Sequence, residues 1–242
     1  MNMMASRAPS SRVLAAACAG VLLAIGPIPV PANGQPTASP QATTPAMAPR
    51  PEASGAARQE LDAFAAAWAS VTAYTATVTV FEQQGTAVQH VVFDYSFRKP
   101  SSVTVHVLAG PNAGVTLAWD GGATVVAHRG SGFAALFKRT LSLHDPLATT
   151  IRGSSIDQLS FAAILAHAQQ QAGRLSAVPG DVIGGVAVDA LTLTPAAPAA
   201  DAGLTREVIE LSTATHLPMR ALGYDGATLV RNVEFSNVQL QG

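Results

Sequence analysis

The chain has almost no sulfur chemistry. Cys18 is the single cysteine among 242 residues, so an intrachain disulfide and a cysteine metal cluster are both excluded. Lysine is confined to Lys99 and Lys138, and charged residues are 12% of the sequence. With a formal charge of −1 and no extended run of lysine or arginine, the chain lacks the basic footprint that nucleic acid demands. Aromatics are sparse at 5%, which makes the places where they cluster informative.

Catalytic patterns are missing too. The histidines are His90, His106, His128, His144, His167 and His216. None has a partner at metal-ligand spacing, and no His-Glu-x-x-His occurs. Gly130-Ser131-Gly132 and Gly153-Ser154-Ser155 do not complete a Gly-x-Ser-x-Gly nucleophile turn. Asp120 and Asp225 precede glycines, where aspartate serves the backbone of a turn. These absences predict a protein that is not an enzyme and uses neither metal nor cofactor.

The N-terminus carries a clear layout. Arg7 and Arg12 precede an apolar run from Val13 to Ile25. Gly26-Pro27 breaks that run, and Val30-Pro31-Ala32 offers a cleavage pattern before Asn33. This predicts a secretory signal peptide over residues 1–32 and a periplasmic location, the run being short for a membrane span. Leu14-Ala15-Ala16-Ala17-Cys18 loosely matches a lipobox, so a lipoprotein anchored through Cys18 is the alternative. Losing Arg7 and Arg12 with the leader takes the formal charge from −1 to −3. Residues 33–55 are rich in Pro, Ala, Thr and Ser and read as a disordered tether. One domain is then expected over residues 56–242, long enough for a substantial core.

Within that domain the period of the apolar pattern changes repeatedly. Leu61, Phe64, Ala65, Trp68 and Val71 fall at helical spacing, predicting an amphipathic helix over 56–71. From Tyr74 the period is two, and Thr, Val and Tyr dominate. Val91, Phe93, Tyr95 and Phe97 would share one face of a strand, as would Val103, Val105 and Val107 of the next. Val115, Leu117 and Trp119 lead to Asp120-Gly121-Gly122, a hairpin signal. After a strand-poor apolar segment with Phe133, Leu136, Phe137, Leu141 and Leu143, residues 155–171 read as a second helix with Ile156, Leu159, Phe161, Ile164, Leu165 and Ala168. Ser154 or Ser155 would cap its start and Gly173 its end. The last third resumes strands, the first running from Val182 to Thr194 with a kink at Gly184-Gly185. The sum is nine to eleven antiparallel strands and two or three helices: an α+β, mainly antiparallel β class. A helix inserted between two halves of a meander must cover something, and the open face of a curved sheet is the natural candidate.

Three passages carry a family resemblance. Phe93-Asp94-Tyr95-Ser96-Phe97-Arg98-Lys99-Pro100 is similar to the aromatic-x-Phe-x-x-Pro strand end of the LolA/LolB-like superfamily of periplasmic lipoprotein carriers and sorting factors. Trp119-Asp120-Gly121-Gly122 is similar to that family's hydrophobic-Asp-Gly turn. Leu217-Pro218-Met219-Arg220 through Val238 is similar to its closing strands. The resemblance spans most of 56–242 and implies a curved half-barrel sheet, a helical lid and acyl chains bound between them. It also implies a lipoprotein acyl chain or another lipid as partner, in a carrier or sensor of lipoprotein sorting, monomeric and without covalent chemistry. One departure is visible: carriers of the first kind hold the lid shut with an arginine on the strand after the aromatic-Pro motif, and here that strand, Ser102 to Val107, has none.

On this reading the sheet side of the lipid site is Phe93, Tyr95, Phe97, Val105, Leu117 and Trp119. The lid side is Phe133, Leu136, Phe137, Phe161, Ile164 and Leu165. An exported interaction module with a filled core, meeting an envelope partner protein through sheet edges or lid, is the alternative. A hydrolase of envelope lipids or glycans would need a polar constellation that the sequence does not display.

Overall fold

A computed structural model describes residues 55–130 and 138–242, all within one compact unit covering 48–242. The expected leader over 1–32, the expected tether from 33 up to residue 54, and Phe133, Leu136 and Phe137 lie outside the described residues.

The first helix, α1 (Gly55–Ser70), buries Ala57, Leu61, Phe64 and Trp68 on one face, the stripe that the helical spacing predicts. Lys99 closes its C-terminal end. The ammonium donates to the carbonyl of Trp68 at 2.6 Å and lies 4.4 Å from the centre of the Trp68 ring, so a cation meets both the helix dipole and a π face.

Strands then follow almost without interruption: β1 (Ala73–Gln84), β2 (Ala87–Arg98), β3 (Ser102–Ala109), β4 (Val115–Trp119), β5 (Thr124–Arg129) and β6 (Arg139–Ser142). After a long insert come β7 (Leu175–Ile183), β8 (Val186–Leu193), β9 (Arg206–Ser212), β10 (Pro218–Asp225) and β11 (Thr228–Gln241). All eleven join one sheet in the order β6-β5-β4-β3-β2-β1-β11-β10-β9-β8-β7. Neighbouring strands run antiparallel. Two meanders therefore meet where β1 pairs β11, and β6 and β7 are left as the two edges. The result, among the described residues, is an open, curved antiparallel half-barrel with two α-helices.

Two strand expectations are corrected. The Gly184-Gly185 pair is a hairpin turn rather than a kink, because both glycines take positive φ (56° and 86°), the backbone of a two-residue turn that L side chains resist. Residues 139–142, read as strand-poor, add β6 through pairing with β5. Both edges are blunted. β6 has only four residues, and β7 carries Pro179 beside a register shift, so its ladder lacks a donor there.

One face of the sheet is apolar. Val78, Val80, Phe93, Tyr95, Phe97, Val105, Leu191, Leu211, Val233 and Phe235 point into a single core with the buried stripe of α1. The connection between the edge strands, residues 143–174, crosses this inner face. It contains the second helix, α2 (Phe161–Gln170), and a single 3-10 turn at Ala172–Arg174.

Candidate functional site

The second helix starts later than its apolar pattern predicts. Ser160, not Ser154 or Ser155, is its N-cap: the hydroxyl accepts from the Ala163 amide at 3.1 Å. Residues 143–160 form an irregular strap instead of a first helical turn, with a short bridge between Thr149 and Ser155. Gly153, at φ 83°, permits the tight reversal inside that bridge. At the other end Gln171 is the C-cap, ahead of Gly173.

Most of the strap's hydrogen bonds to the sheet come from a few polar side chains. The fully buried Glu82 accepts from the Arg152 amide at 3.0 Å and from the Ser154 hydroxyl at 3.0 Å. Gln89 accepts from the Ile151 amide at 2.9 Å. The Arg152 guanidinium donates to the carbonyls of Gln83 and Ala202. Deeper in, the Tyr95 hydroxyl donates to the Ile156 carbonyl at 3.0 Å. The Tyr74 hydroxyl accepts from the Phe161 amide at 3.2 Å. Burial pushes both phenols well above their ordinary range, so both stay protonated and neutral under any physiological condition.

The predicted sheet residues separate into two groups. Tyr95 and Phe97 join Tyr74, Trp68, Phe161 and Phe235 in a packed aromatic cluster: Tyr74 lies 5.9 Å from Tyr95 and 5.6 Å from Phe97, ring centre to ring centre. This cluster fills the inner face near α1. Leu165 is buried beside it, and Ile164 packs on the core from its margin. Trp119 sits half-buried at the edge of the same core and gives its indole N–H to the Gly122 carbonyl. Phe93, Val105 and Leu117, by contrast, line a cavity under the strap. Across from them lie Ala148, Ile156 and Leu159, which the sequence reading did not assign to the site. The apolar pattern puts Ile156 and Leu159 in the first turn of the second helix, and Ala148 lies in the irregular strap before it, so their place at the cavity follows from the strap's fold. The cavity's volume is about 70 Å³, enough for a few waters and not for an acyl chain.

At the other margin, α2 is fastened by charge. His167 Nε2 lies 2.8 Å from the Glu207 carboxylate, and Arg231 donates to the other oxygen of Glu207 at 3.0 Å. The hydrogen bond to Glu207 raises the His167 pKa above 6.5, against a smaller opposing effect of burial. Burial alone would raise the Glu207 pKa, but His167 and Arg231 outweigh it and hold the carboxyl below its ordinary value. Asp201 completes a group whose ligand-type atoms lie within 4.8 Å of one another. The Arg231 guanidinium already occupies the face of Glu207 that a cation would need, so these residues fit an ion-pair network better than a metal centre. These partners are 40 and 24 residues apart, beyond the reach of any local spacing rule.

The arrangement defines a half-barrel of open antiparallel sheet whose apolar inner face is covered by the connection between its own edge strands. No family model matches the chain, and no curated protein matches it in sequence. Among solved structures, it is similar to a LolA superfamily protein of Nitrosomonas europaea at 12% identity, covering 77% of this chain and 94% of the other, with a TM-score of 0.39. It is similar to the lipoprotein LppX of Mycobacterium tuberculosis at 14% identity, covering 77% and 93%, with a TM-score of 0.43. It is also similar to MucB in the Pseudomonas aeruginosa MucA/MucB complex at 16% identity and a TM-score of 0.40; the match covers 77% of this chain and 58% of the other, under two thirds of its length. Among the described residues no helix is long and apolar enough to cross a membrane.

Proposed function

We propose that the protein binds an acyl chain of a lipid or lipoprotein in the periplasm, between the inner face of the sheet and the strap, and acts there as a carrier or sensor without covalent chemistry. The observation that carries this reading is the nature of the cover. Residues 143–174 close the open half-barrel, yet contribute no strand to its ladder; they are held by the apolar burial of Leu143, Ile156, Leu159, Phe161 and Leu165 and by hydrogen bonds to Glu82, Gln89, Tyr95, Tyr74 and the His167–Glu207 pair.

Freeing the strap costs more than its hydrogen bonds, at a net ~0.5–1.5 kcal/mol each, because Leu143, Ile156, Leu159, Phe161 and Leu165 are buried in the core. An entering acyl chain of about ten methylenes, at ~0.8 kcal/mol each, would offset that loss by covering the same apolar surface. Phe93, Val105 and Leu117, at the small cavity under the strap, are the first wall that an entering chain meets. The blunted edges of β6 and β7 speak against a scaffold that works by strand addition.

The test is competition for a fluorescent fatty-acid probe. Wild-type chain should bind it saturably. Ala148→Leu, which fills the cavity from the strap side, should weaken binding at least tenfold while leaving the unfolding midpoint near wild type. Equal probe binding by this variant would remove the cavity from the mechanism.

A further inference from the structure

The cavity under the strap reaches solvent at one end. Among its described lining residues, Pro111, Asn112 and Leu147 are exposed, and the others are half-buried or buried. Pro111 and Asn112 belong to the turn between β3 and β4, and Leu147 stands in the strap. Together they mark a mouth between that turn and the strap. Leu147 is 52% exposed there, an apolar side chain left in water on the rim of an apolar hollow.

The two sides of the mouth are held differently. The turn is fixed: Gly110, at φ 95°, lies so close to β2 that a Cβ would meet the His90 carbonyl at 2.2 Å, and the Gly114 amide donates back to the Val107 carbonyl at 2.8 Å. The strap is anchored at two points, where the Leu143 amide donates to the Ala123 carbonyl and the Ile151 amide to Gln89, both at 2.9 Å. Between these anchors, the hydrogen bonds of residues 144–150 to described residues stay within 142–154. Asp145 shapes the segment from inside. Its carboxylate accepts from the Leu147 amide at 2.8 Å, and its carbonyl accepts from the Ala148 amide at 2.7 Å and the Thr149 hydroxyl at 3.3 Å. Of residues 144–150, Ala148 alone is buried. The segment can therefore swing as a preformed flap without breaking a hydrogen bond to the sheet, the signature of a locally low opening cost.

We infer that the acyl chain reaches the inner face through this mouth, by displacement of residues 144–150 away from the β3–β4 turn, and that Leu147 is the positioning residue that passes it inward to Phe93, Val105 and Leu117. The inference rests on the acyl-chain reading and adds the path. The cavity's lining includes no Lys, Arg, Asp or Glu, so an ionised headgroup would lose its hydration inside without a partner. The chain accordingly enters tail first, and its head stays at the mouth. Leu147 gives the tail an apolar contact before it has left water. A residue that acts on passage changes the rates of entry and exit together and leaves the affinity nearly alone.

The experiment has two arms on the full chain. In stopped-flow mixing with a fluorescent palmitoylated peptide, Leu147→Gln, polar and of similar size, should slow association and dissociation alike by at least fivefold, with the dissociation constant within twofold of wild type. Without ligand, Leu117→Cys in a Cys18→Ser background reports the opening through its reaction with a thiol reagent. Asp145→Ala, which unfastens the flap, should speed that reaction at least fivefold and leave a control thiol at Leu191→Cys, buried on β8, at its original rate. Unchanged rates in Leu147→Gln, or a loss of affinity through dissociation alone, would overturn the role of Leu147. Labelling of Leu117→Cys that ignores Asp145→Ala, or that rises equally at Leu191→Cys, would overturn the mouth. Peptide binding absent from wild type, with labelling as expected, would instead sink the acyl-chain reading and the mouth's use by such a chain.

Discussion

The ring of Tyr74 stacks on the ring of Phe161 at 4.2 Å and 6°, while its hydroxyl accepts the Phe161 amide proton at 3.2 Å. One side chain of β1 thus meets both the apolar and the polar requirements of the first residue of α2. Amides in the first turn of a helix have no intrahelical partner, so a buried helix start needs such an acceptor.

Replacing Tyr74 with Phe keeps the stack and removes the acceptor. A buried amide is left unpaired, at a cost of about 1–3 kcal/mol. Urea unfolding should show the midpoint fall with little change in slope. An unchanged midpoint would mean that the hydroxyl contact does not hold the helix start.

Glu82→Gln isolates the strap from the rest of the fold. The carboxylate accepts from both the Arg152 amide and the Ser154 hydroxyl, and the glutamine amide group can accept only on one side. Loss of about one hydrogen bond, ~1.4 kcal/mol, corresponds to a tenfold change in an opening equilibrium. Hydrogen exchange at Arg152 should accelerate by about that factor, with exchange in β1 and β11 unaffected.

The fastening of α2 should depend on pH in both directions. The His167 pKa is raised in the folded protein, so its contribution is full below the ordinary value of 6.5 and is lost as pH rises through the raised one. The Glu207 pKa is lowered, so its contribution is present above the ordinary value of 4.5 and is lost as pH falls through the lowered one. Stability should therefore be greatest in the mildly acidic interval between these values. His167→Gln should remove the alkaline limb. Unfolding curves across pH test this; parallel profiles for wild type and variant would count against it.

Much of the scaffold was legible because it follows local periods. The α1 stripe of Leu61, Phe64 and Trp68, and the inward alternation of Phe93, Tyr95 and Phe97, are buried as their spacing implies. What the sequence concealed are relations without a period. The start of α2 at Ser160 is decided by Tyr74, 87 residues from Phe161, and not by the apolar run before it. Glu82 shares the inward parity of Val78 and Val80, where a carboxylate is unexpected, and it is fully buried because the strap folds over it and supplies its donors. Of the residues assigned to the lipid site, Phe93, Val105 and Leu117 line the cavity, whereas Tyr95, Phe97 and Phe161 fill a neighbouring cluster. Alternation fixes which face a residue occupies, but where a hollow remains depends on how the cover packs.

The central claim is that the inner face accepts an acyl chain when the strap lifts. Native mass spectrometry of the full chain, incubated with a palmitoylated peptide and with its unacylated form, tests it most directly. The account predicts a one-to-one complex with the acylated peptide only, diminished in Ala148→Leu. A bare protein mass under both conditions, or equal binding of the two peptides, would contradict it.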